Sequence, residues 1–415
     1  MRTGTQTQTD SGLLAGLDSR SFDVQLPPAQ PLKEYLPFGK PNFSAEEIKA
    51  VTRVMRSGWI GMGPETIAFE KELAAYLGVP HVVTVNSCTS ALFLALLMQN
   101  IGEGDEVICP SLTWCATANA ALYLGAKPVF CDVDPETLCI TPETVRAKVT
   151  KRTRAVMVVH FGGLPANVAG IRAAVPEGVV VIEDAAHAFG SRFPDGTGVG
   201  ASGNPTCFSF YANKNLSTGE GGAIALFDDG QAERLRSVRQ NGMPATAWSR
   251  FTKPAAMLYS NLTELGYKMN FIDLQAAIGR VQLKRQPEFQ DLRADIARVY
   301  FEALGDLEPQ LRFQRDVLHP HHARHLFTVT LPVAGMTVSR DEFLLQLRAM
   351  NVGASIHYAP LHTMPLYASP EPAPLVQTEH LATAILTLPI SSSMRLDDAR
   401  QVTEAFQEVF YRSLC

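Results

Sequence analysis

The chain has 415 residues, 46% hydrophobic and 19% charged, which is ordinary globular composition and long enough for two domains and a large core. Its 36 Lys and Arg against 41 Asp and Glu give a formal net charge of −5; with no basic run, this argues against nucleic acid or an acidic membrane as the main partner. The longest uninterrupted apolar run, Ala91 to Met98, is far too short to span a bilayer.

Seven cysteines, with no C-x-x-C pair, include Cys88, Cys109, Cys131 and Cys207 in or beside apolar runs. That is the usage of buried free thiols and points to a reducing cytoplasm and no zinc site. Met1 to Asp10 is rich in Thr and Gln and has no apolar signal core. Residues 1–36 read as a flexible lead-in, with Pro27, Pro28 and Pro31 marking its end.

Ser44-Ala-Glu-Glu47 is a capping box, and Ile48, Val51, Val54 and Met55 form one helix face that stops at Gly58. A second helix carries Phe69, Leu73 and Leu77 and stops at Gly78. The turn between them, Trp59-Ile-Gly-Met-Gly-Pro64, is glycine-rich enough to approach a ligand through Gly61 and Met62, or to serve only as a connector. Val82 to Val85 reads as a strand. Asn86-Ser-Cys-Thr-Ser90 then opens the apolar helix, so free N–H groups and the hydroxyls of Ser87 and Thr89 make a phosphate seat beside Cys88. Simple N-capping by Asn86 or Ser87 accounts for the same residues.

Strands are expected at 106–109, 128–133, 155–160 and 179–184, with helices at 115–124 and near 142–149 and 166–174. This alternation predicts right-handed β-α-β units and a mainly parallel sheet. Trp114 lies at the turn after the first of these strands, Asp184 at the end of the last, and His187 three residues further on. Gly198-Val-Gly-Ala-Ser-Gly203 spells a dinucleotide fingerprint but is preceded by a Pro-Asp-Gly turn and followed by Asn204-Pro205 and a strand, so it is a loop.

The strand Thr206 to Tyr211 bears Ser209 and empties into a polar loop carrying Lys214; Gly219-Glu-Gly-Gly222 returns into a strand at 223–227. A charged helix is expected at 232–240. Residues 241–253, with Trp248, have little periodicity and read as a mobile loop; Asn270 lies in a loop before the helix that starts at Asp273. From about Gln286 the pattern changes: helix to 304, strand 326–331, helix 339–350, strand 354–358, helix 396–411. These divide the chain into a large domain, 37–285, and a smaller α/β domain, 286–415. His321, His322 and His325 lack a helical metal-ligand spacing, so no metal site is expected.

An acid and a lysine at two strand ends of one open sheet, Asp184 and Lys214, suggest a carbonyl cofactor held as a Schiff base. The runs Phe208-Ser-Phe-Tyr-Ala-Asn-Lys-Asn-Leu-Ser-Thr-Gly-Glu-Gly-Gly222, Pro110-Ser-Leu-Thr-Trp-Cys-Ala-Thr-Ala-Asn119 and Glu183-Asp-Ala-Ala-His187 resemble the DegT/DnrJ/EryC1/StrS aminotransferases, over roughly residues 37 to 410. The resemblance implies fold type I of the pyridoxal-phosphate (PLP) transferases: α/β, with a mainly parallel seven-stranded sheet flanked by helices. It implies PLP on Lys214, with Asp184 holding the ring N–H. Ser87, Cys88, Thr89 and Ser209 would hold the phosphate, Trp114 would stack on the ring, and His187 would touch the ring hydroxyl or face. Asn270 would reach the phosphate of a neighbouring subunit in a homodimer with shared sites. Gly61, Met62, Trp248, His325, His357 and Tyr358 would face the substrate. The implied reaction moves an amino group from an amino acid, L-glutamate in most of the family, to a keto sugar, usually nucleotide-linked, for a surface polysaccharide or a glycosylated metabolite. Two rivals are a sugar dehydratase or deoxygenase on the same scaffold, where the family typically replaces the lysine with histidine, and a non-catalytic regulatory homologue. Met62 and Asn241 depart from the common pattern, both on the substrate side.

Overall fold

The computed structural model describes residues 29–244, 247–252, 262–308, 310–368 and 373–414. The expected lead-in therefore falls mostly outside the described residues. Its last part, 29–36, packs: Leu32 is buried, Leu32 N–H bonds Met350 O at 3.1 Å, and Leu36 N–H bonds Asn351 O at 2.9 Å.

Seven strands form one sheet: β1 (His81–Val85), β2 (Glu106–Pro110), β3 (Lys127–Cys131), β4 (Thr153–Val159), β5 (Val180–Asp184), β6 (Thr206–Ser209) and β7 (Gly222–Leu226). Their order is β1-β7-β6-β5-β4-β2-β3. Only β7 runs against its neighbours, pairing antiparallel with both β1 and β6; the other pairs are parallel. The mainly parallel seven-stranded α/β sheet is thus as expected, and the carboxyl ends of β1, β2, β4, β5 and β6 open on one edge.

Side-chain alternation separates the two faces. Val107, Met157 and Ile182 pack with the helix Cys88–Met98, whereas Ile108, Val156, Val158 and Val181 pack on the other side. That helix has no polar face: Ala91 through Leu96 are all nearly inaccessible. A helix apolar all round must be enclosed, so its amino end is held rigidly.

A second core begins at the helix Gln286–Leu304 and takes in Phe327, Phe343, Leu347, Phe406 and Phe410, with Leu32 from the amino end. Its sheet has three antiparallel strands, β8 (Arg312–Phe313), β9 (Phe327–Thr330) and β10 (Ile385–Leu388). The strand expected at 354–358 is instead irregular, with one bridge from Ser355 to Thr387. Its first donor turns back, Ala354 N–H bonding Val352 O at 2.9 Å, and Ser355 N–H makes the bridge on Thr387 O at 3.0 Å. Within the expected loop 241–253, residues Ala247–Thr252 form a short helix, while 245, 246 and 253 lie outside the described residues.

Candidate active site

Lys214 follows β6 in a turn closed by its own N–H on Tyr211 O at 3.0 Å. Its amine is enclosed, and burial brings it down to about 8, with the negative charge of Asp184 only partly offsetting this. Asp184, the last residue of β5, is buried on the same edge. Burial raises its pKa against two hydrogen bonds, from Thr117 Oγ1 at 2.8 Å and Ala186 N–H at 3.1 Å. Sequence reading missed Thr117. It stands three residues after Trp114, in the helix Ala116–Leu122, and Thr113 donates to it at 2.9 Å because the Thr117 hydrogen is committed to Asp184.

Beneath Asp184, on the opposite face of β5, Glu183 is buried. Burial works against its charge, but His160 at 2.9 Å, Asn204 at 2.7 Å and Ser202 outweigh it and hold the carboxyl below its usual range. His160 takes Ala166 N–H on Nδ1 at 3.0 Å, so its Nε2–H points at Glu183. This network clamps the ends of β4 and β5 together under the site.

A glycine turn after β4 brings in the second core. Gly163 has φ +107°, and a Cβ there would lie 2.9 Å from Arg324 N. Ala323 N–H bonds Gly163 O and Leu326 N–H bonds Gly162 O, both at 3.0 Å. This seam carries His325 onto Lys214, with Nε2 to Nζ at 3.2 Å. His187 lies against His325, ring centres 4.7 Å apart. Gly162 N–H reaches His187 Nδ1 at 3.4 Å, so Nε2–H faces the Tyr358 hydroxyl at 2.9 Å. Tyr358 in turn lies 6.1 Å from the Trp114 ring, which is 61% exposed and free to cover a flat ligand. His357 is anchored on Thr387 Oγ1 at 3.0 Å. Burial and the Lys214 charge depress all three histidines, His357 to about 3, so they are neutral.

The amino end of the buried helix is capped by Ser87, which accepts Ser90 N–H at 3.1 Å and leaves the amides of Cys88 and Thr89 uncapped by that side chain. Gly222, the first residue of β7, admits this end: a Cβ would lie 2.6 Å from Cys88 N. Ser209 is its register partner across β6–β7. Asn270 bridges to Val85, and Asn86 N–H bonds Met269 O at 3.0 Å, so the segment runs beside the exit of β1 in its own chain.

Gly61, Met62 and Trp248 form a different cluster. Gly61 O accepts Asp273 N–H at 3.0 Å, Met62 is buried, and Trp248 meets Trp59 edge-on at 4.8 Å. Among the described residues, no hydrogen bond or ring contact joins these three to Lys214.

The donors present fit PLP. Among the described residues no ion pair engages Asp184, so a ring N–H⁺ would supply the counter-charge its burial demands. Helix amides and Ser209 offer a phosphate seat, and Lys214 offers a buried amine whose pKa suits a carbonyl partner.

This is PLP-enzyme architecture, and comparison narrows it to a sugar aminotransferase. The chain belongs to the DegT/DnrJ/EryC1/StrS aminotransferase family, whose sequence model matches residues 41–407. The spore coat polysaccharide biosynthesis protein SpsC of Bacillus subtilis (strain 168) is 40% identical over 386 residues, 92% of this chain and 98% of that protein. Among solved structures, the aminotransferase TlmJ from Streptoalloteichus hindustanus is 34% identical with a TM-score of 0.82, covering 90% of this chain and 98% of that one. Helicobacter pylori PseC, an aminotransferase involved in pseudoaminic acid biosynthesis, is 25% identical with a TM-score of 0.83, covering 91% of this chain and all (100%) of that one.

Proposed function

We propose that this aminotransferase moves the amino group of L-glutamate to a nucleotide-linked keto sugar, using Lys214 and Asp184, in the cytoplasm. The observation that carries the site assignment is the Lys214 amine, its pKa brought down to about 8 by burial, on the same sheet edge as the buried carboxylate of Asp184, each felt by the other's charge. Biosynthesis of a surface polysaccharide is the setting favoured by the likeness to SpsC. Residues 37–285 carry the cofactor seat in this reading and residues 286–415 bring His325, His357 and Tyr358 over it.

When bound, PLP supplies an electron-accepting ring that stabilises the electron pair left at the donor's α-carbon. Asp184 would hold the proton on the ring nitrogen, and Trp114 would cover the ring. Ser87, Cys88, Thr89 and Ser209 would hold the phosphate, and His187, tied to Tyr358, would steady the ring's polar edge. Lys214, with a pKa of about 8, is partly unprotonated near neutrality and so could remove the α-proton and return it two atoms along, on the far side of the transferred nitrogen. The donor leaves as a 2-oxo acid before the sugar's keto carbon receives the nitrogen, a ping-pong order. A second subunit completes the site through Asn270. Gly61, Met62 and Trp248 face the sugar from the aromatic cluster around Trp59.

The test supplies PLP and then L-glutamate to purified protein, and mixes the resulting amino form of the cofactor with nucleotide-linked 3-keto and 4-keto sugars. Loss of the amino-form spectrum with one sugar names the acceptor. Lys214→Ala should bind PLP without the lysine-linked absorption and turn over nothing. Retained transamination by that variant would remove Lys214 from the mechanism, and indifference to every nucleotide-linked sugar would remove the proposed acceptor class.

A further inference from the structure

We propose that His325 is a positioning residue for the free Lys214 amine, and that Asn215 enables this by keeping the His325 hydrogen on Nδ1. The inference rests on Lys214 being the PLP lysine. It concerns the amine when it is uncombined, the form in which it carries protons.

The hydrogen-bond directions leave little freedom. Asn215 Nδ2–H donates to the carbonyl of Ala323 at 2.8 Å. Turning the amide over would set two oxygens against each other, so Oδ1 faces His325 Nδ1, at 3.2 Å. Nδ1 must then carry the hydrogen, and Nε2 presents its lone pair to Lys214 Nζ at 3.2 Å. Asn215 is itself held: its backbone oxygen accepts Gln286 Nε2–H at 3.0 Å, inside the junction with the second core.

His325 stays uncharged because of everything packed around it. Burial is the main cause, and the positive charges of Lys214 and Arg293 and the neighbouring His187 and His357 add to it. Arg293 is fully buried on the helix Gln286–Leu304 and spends its Nη1 on the carbonyls of Arg324 and Ile390. The adjacent His187 takes the opposite tautomer, with hydrogen on Nε2. Two neutral imidazoles thus meet Lys214 and Tyr358 with a lone pair and a hydrogen respectively. The bond to His325 occupies one N–H of the lysine and leaves the nitrogen lone pair aimed away from the ring, where a substrate carbon can be deprotonated.

The test compares His325→Leu, His325→Gln and Asn215→Leu with wild type, after circular dichroism and Tm confirm folding. One readout needs no cofactor: acylation of Lys214 in apoprotein with acetic anhydride across pH, followed by peptide mass spectrometry. Wild type should show a midpoint near 8, His325→Leu and Asn215→Leu should displace it, and His325→Gln, whose amide oxygen can accept the lysine N–H, should restore it. In holoenzyme, the two Leu variants should lose roughly 10- to 100-fold in kcat, the scale of a misplaced catalytic group, with donor KM within about twofold. An Asn215→Leu protein with wild-type midpoint and kcat would overturn the proposal, as would equal behaviour of His325→Leu and His325→Gln. Borohydride reduction of holoenzyme locates the PLP lysine separately. A label on another lysine overturns the Lys214 assignment, whatever the acylation profile shows.

Discussion

Asp184 is buried, and two donors favour its charged form against that burial. Burial raises its pKa, while Thr117 and the Ala186 amide act against that. Thr117→Val keeps the side-chain shape and removes one donor, so the carboxyl should protonate at higher pH. The acid limb of kcat against pH should move upward, with about a tenfold loss of rate at neutrality, the worth of roughly one charge-assisted hydrogen bond. Asp184→Asn, which cannot carry the charge at all, should slow turnover more severely and abolish that limb. A Thr117→Val enzyme with an unchanged acid limb would show that the bulk field, and not this hydroxyl, keeps Asp184 ionised.

At the scale of elements, the site depends on how closely the buried helix Cys88–Met98 approaches β7. The contact is possible because Gly222 has no side chain; its backbone φ is not in the left-handed region, so the demand is for space alone. Gly222→Ala should push the first helical turn outward by a few tenths of an ångström or more. We expect about 1–3 kcal/mol of destabilisation from overpacking, read as a lower Tm, together with weaker PLP binding measured by equilibrium titration. Undiminished PLP affinity in a folded Gly222→Ala protein would separate this helix end from the phosphate seat. A neighbouring junction works through charge: Asp273 accepts Gly63 N–H at 2.8 Å, Thr66 N–H at 2.9 Å and Glu65 N–H at 3.2 Å, capping the helix Pro64–Leu77 from another helix.

At the scale of the molecule, large apolar side chains stay exposed along the first helix and the segment after it. Ile48 and Met55 are exposed on that helix and Ile60 on the turn that follows, and Phe251, packed against Trp59 and Trp248, is largely exposed. Such exposure suits a protein interface, and this is where the second subunit proposed above is expected to sit. Ile48→Glu with Met55→Glu should therefore convert a dimer to monomer in light scattering and cut turnover, because each site would lose its neighbour's contribution. A wild-type protein that is monomeric at assay concentration and fully active would refute the shared-site arrangement. Among the described residues no helix is long and apolar enough to cross a membrane.

How much could be read before folding differs by kind of information. Local pattern was enough for the capping box at Ser44, the stops at Gly58 and Gly78, the strand end bearing Asp184, the loop after β6 bearing Lys214, and the alternation that implies a mainly parallel sheet, because each depends on residues a few positions apart. Thr117, Asn215, Gly162 and the Asp273 cap left no comparable signal. Their partners lie 67, 110, 25 and 207 residues away for the bonds Thr117–Asp184, Asn215–His325, Gly162–His187 and Asp273–Thr66. The strand expected at 354–358 failed for a local reason: Ala354 N–H turns back onto Val352 O, and within the segment only Ser355 bridges to β10. The sequence by itself determined the alternation of strands and helices and the family to which the chain belongs; only the tertiary structure decided the burial and hydrogen-bond direction of each group, because these belong to the assembled edge and to no single segment.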